Sequence, residues 1–134
     1  MKKLLSLMLV MVLGISVLTG CSGGDSDSGS NTYELALITD VGTIDDKSFN
    51  QGAWEGLVKY ATENEITHKY YQPSEKTTDA YLSSIDLAVK AGAKVVVTPG
   101  YLFEPAVFKA QDTYPDVKFI LLDGTPQDGT YTEF

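Results

Sequence analysis

The chain has 134 residues, enough for one modest domain, and its content of 43% hydrophobic and 21% charged residues is typical of a folded protein. It contains 18 acidic residues, 10 lysines and no arginine, for a formal net charge of −8. Such an acidic surface lacks the basic footprint that binding to nucleic acid or anionic lipid requires, which excludes nucleic acid as a partner.

The N-terminus has the pattern of a targeting segment. Lys2 and Lys3 precede an apolar run from Leu4 to Val17, which is shorter than the roughly 20 residues of a membrane-spanning helix. The run ends in Leu18-Thr19-Gly20-Cys21, which resembles the lipobox of bacterial lipoproteins. This resemblance implies a signal peptide over 1–20 and a lipid anchor on Cys21. An ordinary secretory leader with an incidental cysteine is the alternative.

The segment after the leader is a predicted tether. Residues 21–32 combine the cysteine with serine, glycine, aspartate, asparagine and a final threonine and offer nothing to bury, so we predict a flexible linker there. Because Cys21 is the sole cysteine, no internal disulfide can form. The folded domain is predicted over 33–134.

Strands and helices alternate through this domain. Short β-branched or aromatic runs predict strands, and apolar residues at helical spacing predict the helices between them. The predicted strands are 33–39, 67–72, 94–98 and 118–122, and the predicted helices are 48–64, 78–91 and 105–114. This alternation predicts an α/β fold with a doubly wound parallel sheet, as in a flavodoxin-like lobe.

The loop after the first strand is the most distinctive stretch. Asp40 ends the strand, and Ser48 with Gln51 has the spacing of a capping box that opens the first helix. Asp45 and Asp46 are interpreted as capping or dipole-stabilising residues. Gly52 and Gly56 lie four residues apart, and we expect them to let this helix approach the sheet or a ligand closely.

Three strand ends are predicted to converge at one edge of the sheet, where open α/β sheets bind ligands. Asp40 and Asp123, expected at neighbouring strand ends, would accept hydrogen bonds from a sugar diol or a base edge. Phe49 would supply a ring for stacking, and Gly100, before Tyr101, would let backbone amides approach the ligand.

Each of these residues also has a plain structural interpretation. Asp40 and Asp123 are possible turn or cap residues, and Phe49 is a possible core residue. His68 lies in a predicted strand with no partner for catalysis, and we interpret it as structural. Only their joint occurrence at one edge favours a binding site.

Enzymatic interpretations find little support in the sequence. It contains no Walker A motif, no G-x-G-x-x-G and no G-x-S-x-G, and its one histidine and one cysteine do not form a metal-ligand pattern. A phosphoacceptor receiver domain would carry its acceptor aspartate after the third strand, where this chain has Thr98 and Pro99. We therefore predict no catalytic residue, no metal and no cofactor.

Several blocks resemble the basic membrane protein lipoproteins, which are similar to purine nucleoside receptors of ABC importers. The matching blocks are Asp40-Val41-Gly42, residues 45–52 (Asp-Asp-Lys-Ser-Phe-Asn-Gln-Gly), Gly56, residues 95–101 (Val-Val-Val-Thr-Pro-Gly-Tyr) and residues 119–124 (Phe-Ile-Leu-Leu-Asp-Gly). The block Ser-Phe-Asn-Gln downstream of Asp-x-Gly is the most specific, and together the matches span essentially all of the chain after the tether. One departure is Thr43, where many relatives have a second glycine.

The resemblance implies a two-lobed, type I periplasmic-binding-protein-like fold, of which 33–134 would be the N-terminal lobe and the second lobe would be absent. It implies that Asp40 binds the base edge and that Phe49 stacks on the base. Asp123 would hold the ribose hydroxyls, while Asn50, Gly100 and Tyr101 would line the pocket.

The hypothesis is therefore a lipid-anchored protein on the extracytoplasmic face of the cell membrane that captures a purine nucleoside for an ABC permease. A sugar or another small polar metabolite is the alternative ligand, because the fold does not fix the ligand. A nucleoside hydrolase and a lipoprotein used only for contact or signalling are the alternatives from other classes.

Overall fold

The computed structural model describes residues 32–129, which form one α/β domain. The strands are β1 (Leu35–Ile38), β2 (His68–Tyr71), β3 (Val95–Pro99) and β4 (Lys118–Leu122), and the helices are α1 (Phe49–Glu63), α2 (Thr78–Lys90) and α3 (Glu104–Thr113). A 3-10 turn, Tyr101–Phe103, leads into α3. Every strand and helix predicted from the sequence is present, with bounds that shift by at most two residues.

The four strands form one parallel sheet in the order β2-β1-β3-β4. The chain moves from β1 to one side for β2 and then crosses back to the other side for β3 and β4. The strand order therefore reverses between β1 and β3, the kind of switch point at which open sheets bind ligands. The predicted doubly wound parallel sheet is confirmed.

Helices cover both faces of the sheet, and each face has its own core. On one face α2 and α3 pack over Ile38 and Val96, and on the other α1 packs over Leu37 and Val97. The alternation of side chains along each strand explains the division, since successive residues point to opposite faces. Because β1 and β3 are covered on both sides, they read as continuous apolar runs.

Local capping fixes the ends of α2. Thr77 is the N-cap, and its hydroxyl accepts a hydrogen bond from Ala80 N at 3.2 Å. At the other end Gly92, with φ 98°, donates to Val89 O, and the next amide, Ala93 N, donates to Ala88 O. These paired bonds form a Schellman motif, in which a glycine commonly takes the left-handed conformation.

The two glycines of α1 do not serve the close packing expected of them. A Cβ atom placed at Gly52 or Gly56 would meet no atom within 4 Å, and both residues are exposed. They lie on the face of α1 that points away from the sheet, because the inward positions are taken by Leu57 and Ala61. The expectation that they bring α1 close to the sheet is wrong.

The predicted signal peptide 1–20, the lipidation site Cys21 and all but the last residue of the tether lie outside the described residues, as do residues 130–134. Across 32–129, no helix is both long enough and apolar enough to span a membrane.

Candidate functional site

The candidate site lies at the carboxyl ends of β1, β3 and β4. Register pairs Leu37 with Val97 and Pro99 with Leu122, so the segments that follow these strands leave the sheet side by side. Asp40 follows β1 and Asp123 follows β4, with β3 between them. The two carboxylates are therefore not on neighbouring strands, as the sequence suggested. They are separated by two strand spacings, roughly 10 Å at the sheet.

Asp40 is held in place by its own loop. Its Oδ1 accepts hydrogen bonds from Gly42 N at 2.6 Å and from Asn50 Nδ2 at 2.8 Å. Asp40 N in turn donates to Asn50 Oδ1 at 3.4 Å. Among the described residues, no hydrogen bond to Asp40 Oδ2 is found. Asp40 is partly exposed, and Oδ2 remains as an acceptor on a carboxylate whose orientation is already fixed.

Asn50, the second residue of α1, ties this loop to the helix. Its side chain is only 6% exposed, and its Nδ2 also donates to Asp46 Oδ2 at 3.0 Å. One amide thus joins the two carboxylates and compensates their mutual repulsion with hydrogen bonds. Gly42 makes the arrangement possible, since a Cβ atom there would lie 2.5 Å from Asn50 Nδ2 and 2.8 Å from Asp40 Oδ1. Through its hydrogen bonds to the Asp40 carboxylate and the Asp40 amide, Asn50 fixes the orientation of Asp40.

Asp46, rather than Ser48, caps helix α1. Its Oδ1 accepts from Ser48 N at 2.8 Å and from Gln51 N at 3.2 Å, while the Ser48 side chain makes no capping bond. Gln51 Oε1 accepts from Lys47 N at 2.9 Å, one residue before the amide that a capping box would engage. The predicted capping box is wrong, and the interpretation of Asp46 as a capping residue is confirmed.

These contacts shift the pKa of Asp46. Desolvation of the carboxyl raises its pKa, but hydrogen bonds from Ser48 N, Gln51 N and the Asn50 amide outweigh it and hold the pKa below the ordinary 3.8. A carboxyl with a lowered pKa in the folded state stabilises the fold above its ordinary pKa. That stabilisation is lost as the pH falls from about 3.8 through the folded-state pKa, so this contribution is fully present at neutral pH.

Two aromatic side chains flank the edge. Phe49, the first residue of α1, is 46% exposed, and Tyr101, directly after the β3 end, is 60% exposed. Aromatic rings with this much solvent exposure contribute little to the stability of the core. Their exposure argues against Phe49 as a core residue and leaves both rings available for stacking.

Gly100 and Asp123 shape the remaining part of the edge. Gly100 has φ 110° and donates its N–H to Leu122 O at 2.8 Å, which ties the end of β3 to the end of β4. Its own N–H is therefore engaged within the protein, and the expectation that backbone amides around Gly100 approach a ligand stays a prediction. Asp123 is exposed and has φ 57°, a left-handed conformation that aspartate tolerates better than most residues.

Buried hydroxyls lie behind the edge. The side-chain oxygens of Tyr81 and Thr98 are buried with no hydrogen-bond partner. The pKa of the Tyr81 hydroxyl is raised by burial and by the negative charge of Asp40, which indicates that the two groups are near each other. Tyr81 packs its ring on Phe103 with centroids 4.2 Å apart.

Charge at this edge is predominantly negative. The loop that follows β1 carries Asp40, Asp45 and Asp46, and the loop that follows β4 carries Asp123. Lys47 is the one cation in these two loops, residues 39–48 and 123–129. No group of three or more histidine, cysteine or acidic residues in 32–129 is arranged to hold a metal ion. The edge suits a neutral, donor-rich ligand better than a phosphorylated one.

Cavities elsewhere in the domain contain none of the six predicted site residues. One of about 540 Å³ lies between α2 and the end of α3, lined by Leu82, Leu87 and Tyr114 among others, and one of about 510 Å³ lies beside β2 and Trp54. Both are away from the convergence of strand ends. The candidate site is an open edge of side chains, and its identification depends on their chemistry.

Sequence reasoning did not predict the organising role of Asn50 and did not identify Glu104 at all. Asn50 was predicted to line the pocket, and its burial between two carboxylates had no sequence signal. Glu104 was not singled out, because an acidic residue at the start of a helix, next to Pro105, has the ordinary interpretation of a dipole-stabilising residue. The structure shows Glu104 buried and bonded to the loop after β4.

Residues 33–130 match the model of the Bmp family, described as ABC transporter substrate-binding protein PnrA-like. The chain belongs to this family. The match covers the whole described domain except Thr32 and includes every residue of the candidate edge. The predicted relationship to basic membrane proteins is confirmed.

Individual relatives agree with the family. The chain is 27% identical over 135 residues to the ABC transporter nucleoside-binding protein BmpA of Lactococcus lactis, covering 95% of this chain and 38% of that protein. It is 31% identical over 128 residues to an uncharacterized lipoprotein of Pyrococcus abyssi, with 93% and 31% covered. It is 33% identical over 117 residues to basic membrane protein A of Borreliella burgdorferi, with 87% and 33% covered.

The chain thus spans about a third of the length of these three relatives. The family consists of substrate-binding proteins, which confirms at the family level the prediction of a binding protein rather than an enzyme.

Proposed function

We propose that the edge formed by the ends of β1, β3 and β4 binds a purine nucleoside, which the protein delivers to an ABC permease. The observation that carries this proposal is the state of Asp40. Its Oδ1 is saturated by Gly42 N and Asn50 Nδ2, which leaves Oδ2 as an oriented acceptor. A base edge that bears N–H groups presents matching donors.

The rest of the edge fits the other parts of a nucleoside. The exposed ring of Phe49 lies at the start of the helix that also holds Asn50, close in sequence to the loop that positions Asp40. Asp123 lies roughly two strand spacings from Asp40, a separation suited to contacts with the base at one end and the ribose hydroxyls at the other. A Lactococcus lactis relative named a nucleoside-binding protein supports the same ligand class.

The negative charge of the edge favours a nucleoside over a nucleotide. A phosphate group would meet the carboxylates that follow β1 and β4, with Lys47 as the cation at the loop. Like charges at such distances disfavour binding, and the penalty falls as salt screens it. A neutral nucleoside avoids this repulsion and still uses its N–H and O–H donors.

Isothermal titration of nucleosides, nucleotides and simple sugars tests the proposal. It would be run on the 134-residue chain and on a form extended through the downstream reading frame. We expect saturable binding of purine nucleosides to at least the extended form, with no turnover to free base. Sugar binding alone would assign the edge to the alternative ligand, release of free base would indicate a hydrolase, and no binding would favour a contact role.

Replacing Phe49 with alanine in the form that binds is expected to weaken nucleoside affinity by about 1–3 kcal/mol, the range observed for base–aromatic stacking. The melting temperature should change little, because the ring is already nearly half exposed. Tyr60→Ala is the matched control, since Tyr60 is exposed near the other end of α1. Unchanged affinity with a lowered melting temperature would make Phe49 a structural residue.

We also propose that Cys21 carries the lipid that anchors the protein to the extracytoplasmic face of the cell membrane. The lipobox pattern before Cys21 and the lipoprotein name of the Pyrococcus abyssi relative support this. Cys21→Ser is expected to move the protein from the detergent-soluble membrane fraction to the aqueous fraction, whereas Ser22→Ala should leave it in the membrane. Membrane retention of the Cys21→Ser protein with its leader removed would contradict the anchor.

A further inference from the structure

Glu104 links the β3 end of the site to the β4 end. It is the first residue of α3, directly after the turn that carries Tyr101, and it is only 6% exposed. Burying a carboxylate is unfavourable unless hydrogen bonds replace its hydration. The bonds that replace it here come from the segment that follows Asp123.

Three hydrogen bonds join Glu104 to that segment. Glu104 Oε1 accepts from Thr125 N at 2.9 Å, and Oε2 accepts from Gln127 Nε2 at 2.5 Å. The main-chain oxygen of Glu104 also accepts from Gln127 N at 3.4 Å. Residues 124–127 contain no helix or strand, so these contacts replace the ladder that would otherwise order the segment.

Gly124 allows the close approach. A Cβ atom at Gly124 would lie 3.0 Å from Glu104 Oε1 and 3.2 Å from its Cγ, tighter than nearly all such contacts. The Asp-Gly pair after β4 therefore serves two purposes. Asp123 takes a left-handed conformation that turns the chain, and the glycine lets the main chain pass against Glu104.

We propose that Glu104 is a positioning residue that fixes the direction of the Asp123 side chain by holding the segment 124–127. Asp123 stands between β4, which the sheet holds, and this segment, which Glu104 holds. Releasing either side frees the main-chain angles that aim its carboxylate. The ligand part of this inference rests on the proposed function, in which Asp123 holds the ribose hydroxyls.

A ligand-free measurement tests the positioning role by itself. Hydrogen exchange at Thr125 N and the Cα chemical shift of Asp123 would be recorded by NMR for the protein, Glu104→Asp and Glu104→Gln. The aspartate keeps the charge but is one methylene too short to reach Thr125 N. We expect its exchange to be about tenfold to a hundredfold faster, the effect of losing a hydrogen bond to a charged group.

Glu104→Gln should restore the protection. Its amide oxygen can still accept from Thr125 N, and the Gln127 amide can turn to accept from the new Nε2. If Glu104→Asp fails to fold, Gln127→Ala is the substitute, since it removes the bond from Gln127 Nε2 to Glu104 Oε2 without changing α3. We expect it to speed hydrogen exchange at Thr125 N, by less than the factor expected for Glu104→Asp. Unchanged Thr125 exchange and an unchanged Asp123 shift in the folded variants would overturn the inference.

A double-mutant cycle tests the link to the ligand. The ratio of the dissociation constants of 2′,3′-dideoxyinosine and inosine measures recognition of the ribose hydroxyls. We expect Asp123→Ala to bring this ratio close to one, Glu104→Asp to lower it at least fivefold, and the double variant to lower it no further than Asp123→Ala. Additive losses, or a ratio that Glu104→Asp leaves unchanged, would overturn the role in binding.

The two proposals fail in different ways. If the unaltered protein binds no nucleoside, the proposed function is wrong, and the positioning role is then decided by the exchange and shift measurements. If the unaltered protein discriminates the ribose hydroxyls but the Glu104 variants do so equally well, the function stands and the positioning role falls.

Discussion

Replacing Phe103 with alanine is expected to lower the free energy of unfolding by about 3–5 kcal/mol, the usual cost of removing a fully buried phenylalanine. Phe103 is completely inaccessible and packs on Tyr81, whose ring centroid is 4.2 Å away. A domain of this size is commonly stable by about 5–15 kcal/mol, so the loss is a large part of the total. Urea denaturation followed by circular dichroism measures it directly.

Phe108→Ala is the matched control for this substitution. Phe108 lies in α3, only five residues further along, and is 37% exposed. We expect it to cost less than about 1 kcal/mol, because an exposed ring loses less contact. Equal losses for the two variants would show that Phe103 is not the anchor of this end of the core.

Phe103 also connects stability to the site. It closes the 3-10 turn that begins at Tyr101, and its burial under α2 fixes how that turn leaves β3. The buried Phe103 thus fixes the position of the exposed Tyr101, two residues earlier in the chain. A loosened Phe103 is expected to weaken ligand binding in parallel with the fold.

The fold follows from local patterns in the sequence. The run Val95-Val96-Val97 can hardly be anything but a buried strand, and Gly92 and Pro105 mark helix boundaries for reasons of backbone geometry. Each of these constraints acts within a few residues of its source. The positions of Asp40 and Asp123 at strand ends follow in the same way.

The strand order and the capping contacts were not accessible to the same reasoning. That β3 separates β1 from β4 depends on which crossovers bury the most surface, and no local pattern reports it. Ser48 and Asp46 both have side chains able to cap α1, and the loop conformation decides between them. Lys47 takes φ 54°, which turns the chain so that the Asp46 carboxylate meets Ser48 N and Gln51 N.

The glycines of α1 show another limit. Spacing places Gly52 and Gly56 on one face of the helix, but spacing alone does not say which face points to the sheet. The larger inward residues Leu57 and Ala61 decide that question through burial. Side chains that work through a network, such as Asn50 and Glu104, are hidden for a related reason, since their partners are distant or ambiguous in sequence.

Asn50→Asp is expected to destabilise the site loop sharply, although the two side chains have nearly the same shape. The Asn50 amide donates to Asp40 Oδ1 at 2.8 Å and to Asp46 Oδ2 at 3.0 Å. A carboxylate at position 50 removes both donors and adds a third negative charge at these distances. We expect a loss of about 2–3 kcal/mol in the free energy of unfolding at pH 7, together with loss of detectable nucleoside binding.

The pH dependence separates this charge effect from simple loss of packing. Repulsion from two neighbouring carboxylates raises the pKa of the introduced carboxyl in the folded state. A raised pKa costs stability above the folded-state value, and the cost disappears as the pH falls below the unfolded-state value near 4. Urea denaturation at pH 7 and pH 4.5 should therefore show the variant recovering toward the unaltered protein as the pH is lowered.

Asn50→Ala provides the comparison for that experiment. It also removes the amide that joins Asp40 and Asp46 but adds no charge. Its loss in the free energy of unfolding should therefore change less between pH 7 and pH 4.5. The pKa of Asp46 is lowered in part by the Asn50 amide, and this contribution is lost in both variants. A loss of stability in Asn50→Asp that stays constant over this range would contradict the charge effect, and would mean that the loss comes from the missing amide donors alone.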